Sequence, residues 1–266
     1  MCRTGEPAAR GVRAGCALTS LVYGRNAVLE LLRSGTRQVR SLVIAAGGGD
    51  ARIREILSLA RQRGVSVRRD RLPAIEALAG SGTNHQGVVA EVERKGYADP
   101  AAILAAASAA PLYVVLDGVE DPRNLGAVIR SAAAAGADAL FLPDRRSAGL
   151  SAGTLKTASG AAEHLPVARI GNVVSFLKEL KKRNIWVIGL DAAGTTAWSE
   201  FDLKQPVALV LGGEGKGLRR LARDTCDLLL SIPLSNGVES LNVAVAAGVV
   251  LFEAVRQRRR NLEKIL

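Results

Sequence analysis

The stretch that decides the fold is residues 232–256, IPLSNGVESLNVAVAAGVVLFEAVR. An apolar strand ends at Pro233, and the turn Ser235-Asn236-Gly237 follows, since Asn and Gly accept the positive φ angles of tight turns. Ser240 suits the capping of free N–H groups, so we expect it to open a long helix. A strand, a polar turn and a helix N-terminus form a donor-rich place where α/β proteins bind ligands, although an ordinary strand-to-helix connection explains this stretch alone equally well. The Ala, Val and Leu content predicts that the helix is buried against a sheet, and a partner subunit is the second candidate neighbour.

Charge is the unusual part of the composition. The 266 residues carry a net charge of +11, whereas 48% hydrophobic residues are ordinary for a globular protein with a sizeable core. An excess of positive charge favours a polyanionic partner, and nucleic acid is a commoner one than membrane. Aromatic residues make up only 3%, which argues against a base-stacking platform for single strands.

Metal, redox and targeting signals are weak. The three cysteines and two histidines lie far apart in sequence: Cys2, Cys16, Cys226, His85 and His164. No CxxC or HxxxH spacing occurs, so we expect no metal site, and the thiols fit a reducing, cytoplasmic location. Residues 1–20 lack the apolar core of a secretory signal, and we expect either a flexible tail or a start codon that is assigned too early. No apolar run is long enough to predict a membrane span.

The remaining chain divides into two α/β units. Residues 21–94 alternate short strands and helices, with arginines crowded between 52 and 71. A solvated face explains such arginines almost as well, but the clustering and the overall charge favour RNA. Residues 95–111, with Asp99-Pro100 and an alanine run, predict a linker with a short helix. Residues 112–266 alternate apolar strands with helices, which predicts a parallel sheet covered on both faces, and the strands are 112–117, 137–143, 164–170, 185–190, 206–212 and 228–233.

Common nucleotide and hydrolase signatures are missing from the second unit. The first strand is followed by DGVEDPRNLG instead of GxGxxG, which disfavours an NAD site or an ordinary Rossmann methyltransferase. GLDAAGTT at 189–196 has the spacing of a phosphate loop but lacks its lysine, so ATP or GTP hydrolysis is disfavoured. No GxSxG elbow accompanies the two histidines, which argues against a hydrolase triad.

Three polar stretches each follow a strand of the second unit. They are DPRNLGAVIR at 121–130, GGEGKGL at 212–218, and the stretch quoted at the start, with Ser240 and Asn242. Loops after the carboxyl ends of parallel strands gather at one edge of a sheet. Each stretch alone is explained as a turn and a cap, but together they predict a single pocket.

These stretches also resemble the three sequence motifs of the SpoU/TrmH class of the SPOUT superfamily, which are RNA ribose 2′-O-methyltransferases. DPRNLGAVIR is similar to the first motif, LVLGGEGKGLRR to the second, and IPLSNGVESLNVAVAAGVVLFEAVRQRR to the third. The likeness covers residues 112–260. VYGRNAVLELL and NHQGVVAEV resemble the small ribosomal-protein-like domain of one branch, which methylates a guanosine ribose in the peptidyl-transferase loop of large-subunit ribosomal RNA.

The resemblance implies several properties that composition does not reveal. It implies a deep trefoil knot in residues 112–266, a homodimer, ribosomal RNA as substrate, and S-adenosylmethionine as a cofactor used without a metal. The residues expected to hold the cofactor are Gly212, Gly213, Ile232 and Leu241. The residues expected to serve catalysis are Arg130 as the base and Asn124, Glu214, Ser240 and Asn242 as organisers of the site.

Arg130 is a difficult base, because a guanidinium is normally always protonated. A competing hypothesis is that Arg130 binds a phosphate beside the target and stabilises the developing alkoxide. For the function as a whole, a related enzyme that acts on transfer RNA or another ribosomal site, including an antibiotic-resistance site, is the second interpretation. A non-catalytic RNA-binding or ribosome-assembly factor is the third, and an NAD oxidoreductase is a distant fourth.

Overall fold

The N-terminal unit is a four-stranded sheet with helices on both faces. The computed structural model describes residues 19–262 apart from residues 48, 81 and 216. The elements of this unit are β1 Thr19–Tyr23, α1 Arg25–Ser34, β2 Val39–Ala45, α2 Ala51–Gln62, β3 Ser66–Asp70, α3 Leu72–Ala79 and β4 Val88–Glu93. The strand order is β1-β4-β2-β3, and only the β2–β3 pair is parallel.

The predicted tail, residues 1–20, ends too late. Thr19 and Ser20 belong to β1, where Thr19 pairs with Glu93 and Ser20 with Val92 in an antiparallel ladder. Their strand was missed because the apolar alternation becomes visible only from Leu21 onward. The rest of the predicted tail, residues 1–18, lies outside the described residues.

Apolar side chains from α1 and α2 cover one face of this sheet. Leu31, Ile44 and Ile56 are fully buried in a common core. Asp50 caps α2, because its carboxylate accepts a hydrogen bond from the Ile53 amide at 3.0 Å. α3 lies on the opposite face, where Ile75 is fully buried.

A short helix connects the two units. α4, Pro100–Ala105, is capped by Asp99, whose carboxylate accepts from the Ala101 amide at 3.0 Å. Leu104 is buried in the core of the second unit. The Asp-Pro signal therefore predicted both the start of this helix and its capping residue correctly.

The C-terminal unit is a seven-stranded sheet in which every recorded strand pair is parallel. Its order is β7-β6-β5-β10-β8-β11-β9. Its elements are β5 Leu112–Asp117, α5 Pro122–Ala134, β6 Ala139–Pro143, α6 Ala152–Ala158, a 3₁₀ turn Ala161–Glu163, β7 Val167–Ile170, α7 Val173–Lys182, β8 Trp186–Leu190, β9 Thr196–Ala197, β10 Val207–Gly212, α8 Arg220–Thr225, β11 Leu228–Ser231 and α9 Val243–Leu262. The α/β class with a parallel sheet is therefore confirmed, and the trefoil knot stays a prediction.

Helices cover both faces of this sheet, as the apolar strands require. Every residue of β5 and of β10 is buried. One core lies between the sheet and α5, α6 and α9, and the other lies between the sheet and α4, α7 and α8. None of the described helices is long and apolar enough to cross a membrane.

The long last helix begins later than predicted. α9 starts at Val243, so Ser240 does not open it. Asn242 occupies the capping position instead, because its side-chain oxygen accepts from the Ala244 amide at 2.9 Å and its carbonyl from the Ala246 amide at 3.0 Å. Asn is as good a cap as Ser, and the apolar run starts directly after it. This shift leaves Ser240 in the loop, where its side chain is exposed.

Candidate active site

A cavity of about 530 Å³ opens at the carboxyl edge of the C-terminal sheet. The loops after β8, β10 and β11 and the start of α9 form its walls. All four residues predicted to hold the cofactor line it, namely Gly212, Gly213, Ile232 and Leu241. It is also lined by Leu190, Asp191, Ala192, Leu211, Glu214, Gly215, Gly217, Leu218, Arg223, Leu234, Ser240, Asn242, Val243 and Ala246. The second and third polar stretches therefore meet in one cavity, as the sheet topology predicts.

Two of these glycines are required by backbone packing. A Cβ on Gly212 would lie 2.0 Å from the carbonyl carbon of Gly217, and a Cβ on Gly213 would lie 2.0 Å from the carbonyl oxygen of Gly118. The loop is closed on itself, since the Gly217 amide donates to the Gly213 carbonyl at 3.2 Å. Backbone therefore forms this wall of the cavity and can approach a ligand closely.

Asp117 supports the glycine loop from below. It is 2% exposed at the end of β5, and its carboxylate accepts from the Arg219 amide at 3.0 Å. The Arg219 guanidinium lies 3.5 Å from the same carboxylate, and the Asp117 carbonyl accepts from the Gly213 amide at 3.1 Å. Sequence reasoning missed Asp117, although an acid that ends an otherwise apolar strand was the available signal.

A chain of side-chain hydrogen bonds joins the three polar stretches. The side-chain amide of Asn242 donates to the side-chain oxygen of Asn124 at 2.9 Å. The amide of Asn124 in turn donates to the carboxylate of Glu214. Asn124 lies in the first turn of α5, Glu214 in the glycine loop, and Asn242 at the cap of α9. Three of the predicted catalytic residues are therefore linked through the side chain of Asn124, which bonds to both of the others.

Arg130 and Ser240 stand apart from this chain of hydrogen bonds. Ser240 lines the cavity, but its side chain has no hydrogen-bond partner within the described part of the chain. Arg130 lies further along α5, is exposed, and does not line the cavity. Among the described residues it has neither a hydrogen-bond nor an ion-pair partner. Its guanidinium is thus free to bind a group that comes from outside this chain.

Asp191 and Arg223 are site residues that sequence reasoning did not propose. Both line the cavity, and the Arg223 Nε lies 3.6 Å from the Asp191 carboxylate. Asp191 directly follows β8, and its second oxygen accepts from the Ala193 amide at 2.9 Å. The sequence GLDAAGTT has the spacing of a phosphate loop, but its informative feature is the acid at a strand end.

The described residues supply groups for binding and positioning more than for covalent chemistry. Burial raises the pKa of the Cys226 thiol to about 12, so this cysteine is protonated and poorly nucleophilic. No group of three or more His, Cys, Asp or Glu side chains that could hold a metal gathers anywhere in the described ranges. The site is suited to holding a small molecule in the cavity beside a polar cluster.

Comparison with known proteins agrees with this geometry. Residues 111–252 match the SpoU rRNA Methylase family, and residues 21–98 match the domain described as RNA 2′-O ribose methyltransferase substrate binding. The chain belongs to the SpoU rRNA methylase family. A curated relative from Xylella fastidiosa, the 23S rRNA (guanosine-2′-O-)-methyltransferase RlmB, is 45% identical over 240 residues, which cover 89% of this chain and 96% of the relative.

Solved structures of SpoU proteins share the fold. The SpoU methyltransferase AviRb from Streptomyces viridochromogenes, in complex with the cofactor AdoMet, matches with a TM-score of 0.76 and 29% identity over 92% of each chain. The A. aeolicus TrmH/SpoU tRNA modifying enzyme matches with a TM-score of 0.52 and 28% identity, covering 56% of this chain and 76% of its own. The likeness to AviRb therefore spans both units of this SpoU protein, whereas the likeness to the tRNA modifying enzyme covers little more than half of it.

Proposed function

We propose that this SpoU protein transfers a methyl group from S-adenosylmethionine to the ribose 2′-hydroxyl of a guanosine in 23S ribosomal RNA. The observation that carries the proposal is the hydrogen-bonded chain of Asn242, Asn124 and Glu214 at the glycine-walled cavity. The similarity to RlmB over nearly its full length supports the choice of substrate. We assign methyl transfer to residues 112–266 and RNA binding to residues 21–94.

The cavity fits S-adenosylmethionine in size and chemistry. Small-molecule sites commonly enclose about 300–1,000 Å³ and combine apolar walls with a few polar groups. Here Leu211, Ile232 and Leu241 are apolar, the backbone of Gly212 and Gly213 can approach a ligand, and Asp191 offers a carboxylate. When bound, the cofactor supplies a methyl group on a positively charged sulfur, which makes its carbon open to attack.

The residues beside the cavity position the attacking hydroxyl. Methyl transfer would require the ribose hydroxyl to be held in one orientation toward the donor methyl group, and correct placement supplies much of the rate. Asn124 and Asn242 hold Glu214 at the cavity wall, and Ser240 adds a hydroxyl there. Glu214 and Asp191 are the carboxylates of the described cavity that can accept the hydroxyl proton.

Arg130 is better suited to binding a phosphate than to removing a proton. A guanidinium stays protonated at physiological pH, and it matches a phosphate with two parallel hydrogen bonds. The exposed Arg130 side chain has no partner among the described residues. We therefore propose that it binds the phosphate next to the target ribose and stabilises the negative charge that develops on the attacking oxygen.

The N-terminal unit is proposed to hold the RNA. Its arginine cluster is fully on the surface, consisting of Arg52, Arg54, Arg61, Arg63, Arg68, Arg69 and Arg71. Exposed arginines that neutralise phosphates supply affinity without reading sequence. Selection of one guanosine therefore has to come from the shape of the RNA and from the placement of this unit relative to the cavity.

The homodimer implied by the sequence motifs is also part of the proposal. Val245 and Phe252 are seven residues apart on α9, so they share a helix face, and each is more than half exposed. Large apolar side chains in a stripe favour burial against another subunit. A second copy of this chain would cover the stripe, and light scattering that gave a monomeric mass would contradict this arrangement.

A cytoplasmic location is the last part of the proposal. Cys226 is free, and a reducing compartment keeps such thiols reduced. Ribosomal RNA, the proposed substrate of this SpoU protein, is also found in the cytoplasm. Cell fractionation that recovered the protein outside the cytoplasm would contradict this part.

Methyl transfer from labelled S-adenosylmethionine to unmodified bacterial RNA tests the function directly. We expect label in 23S ribosomal RNA, and mapping of the 2′-O-methyl position should locate it on a single guanosine. Label in transfer RNA or at another ribosomal position would keep the reaction and reject the substrate. If the protein did not bind the cofactor and did not transfer a methyl group, it would instead be an RNA-binding factor.

A further inference from the structure

A buried ion pair joins the two units of the chain. Arg37 lies between α1 and β2, Glu163 ends the 3₁₀ turn after α6, and both are less than a tenth exposed. The guanidinium contacts both carboxylate oxygens, with Nη2 to Oε1 at 2.6 Å and Nε to Oε2 at 3.0 Å. Thr36 adds a hydroxyl donor to Oε2 at 2.9 Å, and Arg37 also donates to the Glu93 carbonyl at 3.0 Å. The carboxylate of Glu163 is thus held by three donors from the N-terminal unit.

A glycine beside this pair lets the two units approach closely. Gly160 has a φ of 87°, and a Cβ built on it would lie 2.5 Å from the Cβ of Glu30 on α1. Around this contact, the His164 ring nitrogen lies 3.3 Å from the Glu30 carboxylate, and the Lys156 ammonium lies 5.2 Å from the centre of the Tyr23 ring. No residue with a side chain would fit at Gly160 without separating the units.

The segment between the units is also fixed to the C-terminal sheet. The Ala98 amide donates to the Val167 carbonyl at 2.8 Å, beside the edge strand β7. The Tyr97 hydroxyl accepts from the Leu150 amide and from the Arg169 guanidinium, each at 3.0 Å, and that guanidinium stacks on the Tyr97 ring. The connection therefore does not behave as a free tether between two independent units.

The interface leads directly to the catalytic helix. α6 lies against α5, because Gly126 of α5 is so close that a Cβ would lie 2.5 Å from the Thr154 carbonyl oxygen and 2.6 Å from the Thr157 Cβ. α5 carries Asn124 in its first turn and Arg130 on its exposed face. The N-terminal unit is thus attached one helix away from the residues that we assign to the reaction.

We propose that Arg37, Glu163 and Gly160 form an interdomain latch that sets which ribose of the bound RNA reaches the cavity. The inference rests on the proposed function and deepens it. Units joined by an ordinary interface move relative to each other. A buried ion pair contributes little net stability, but it forms in only one geometry and so fixes how the units are placed. When the N-terminal unit binds the RNA by its shape, a fixed distance between that unit and the cavity determines which ribose lies at the cavity and is methylated.

Gly160→Ala tests the latch, with Gly136→Ala as its matched control. Both glycines have positive φ angles, 87° and 72°, but a Cβ at Gly136 meets nothing within 4 Å. Both variants therefore carry comparable backbone strain, and only Gly160→Ala separates the units. We expect S-adenosylmethionine affinity to be unchanged in both, and kcat on ribosomal RNA to fall by about a hundredfold only in Gly160→Ala, because a misplacement of about 1 Å is sufficient for this.

The position of the methyl group and the shape of the molecule provide further measurements. Mapping should find methyl groups on neighbouring riboses in Gly160→Ala, and small-angle scattering should detect freer units. The double variant Arg37→Met with Glu163→Met should show the same two changes, methylation of neighbouring riboses and freer units in scattering. It removes both charges of the pair, so no charge is left buried without its partner. Thermal unfolding of each variant establishes that it is folded before its activity is compared.

Two results would overturn the latch. One is a Gly160→Ala variant that equals Gly136→Ala in kcat, methyl position and scattering while the double variant equals the wild type. The other is a variant whose units are freed in scattering but which still modifies the same ribose at the wild-type rate. If the wild-type protein modified no RNA, the proposed function would be rejected instead. A comparison of small-angle scattering between the wild type and the variants would still show whether the latch fixes the two units.

Discussion

The glycine loop of the cavity makes the sharpest prediction, which concerns Gly212→Ala. The angle φ at Gly212 is not positive, so alanine adds no backbone strain and the effect comes from the added Cβ alone. That atom would lie 2.0 Å from the carbonyl carbon of Gly217 and 2.3 Å from the Leu218 nitrogen. Because these are backbone atoms, the loop would have to move by roughly 1.5 Å to reach an ordinary carbon–carbon separation of about 3.5 Å.

The cost of Gly212→Ala follows from this displacement. Overpacking at a buried backbone position costs about 3 kcal/mol, near the upper end of its usual range. For a domain of this size that loss lowers Tm by about 6–12 °C. A displaced loop should also lose at least one backbone hydrogen bond to the cofactor, worth about 1–1.5 kcal/mol. Affinity for S-adenosylmethionine should therefore fall by about five- to tenfold.

Thermal unfolding and calorimetric titration with S-adenosylmethionine measure the two effects of Gly212→Ala. The matched control is Gly171→Ala, which also directly follows a strand of the C-terminal sheet, has no positive φ and would place its Cβ in open space. We expect the control to retain both the Tm and the affinity of the wild type. If Gly212→Ala behaved like Gly171→Ala in both measurements, the glycine wall would not be needed for the site.

Two further predictions concern the polar cluster. Asn242→Asp should keep the hydrogen bond from the Ala244 amide, and hence the Tm, but it should lose methyl transfer because a carboxylate cannot donate to Asn124. Asn242→Ala should lose methyl transfer as well, and the loss of the helix cap should lower its stability by about 1 kcal/mol. An active Asn242→Asp variant in a kinetic assay would reject the role of this hydrogen bond. Arg130→Lys should lower kcat by about a hundredfold, comparable to the loss of one donor to a developing oxyanion, without changing cofactor affinity, since Arg130 does not line the cavity. Full activity of Arg130→Lys, measured at saturating cofactor, would contradict every role that requires a guanidinium.

Sequence patterns predicted the elements of this fold where one local signal dominates. The apolar runs of β5 and β10 are buried on both faces, so their strands are visible in the sequence without knowledge of their neighbours. The caps Asp50, Asp99 and Asn172 were also predictable, since each acts on amides two or three residues away. The start of α9 was misplaced because Ser240 and Asn242 are both good caps, and only the packed structure chooses between them.

Contacts between distant residues were beyond sequence reasoning. Arg37 and Glu163 are 126 residues apart, and neither lies in a motif. The two-residue strand β9 is formed by pairing with β11, and its own sequence has no strand signal. Asp191 was visible as an acid at a strand end, but its position in the cavity depends on the strand order, in which β10 separates β8 from β5.

The hydrogen-bonded chain predicts that an amide is needed at position 124. Asn124 must donate to the carboxylate of Glu214 and accept from the amide of Asn242, and among side chains of this size an amide provides a donor and an acceptor that point in different directions within one plane. An aspartate there would place two carboxylates in contact, and like charges that close oppose the ionised form. An alanine at position 124 would remove both hydrogen bonds, so the side chains of Glu214 and Asn242 would no longer be linked. The three residues come from α5, the glycine loop and α9, so the orientation of Glu214 depends on all three elements. Asn242 influences Glu214 only through Asn124, because Asn124 bonds to both side chains.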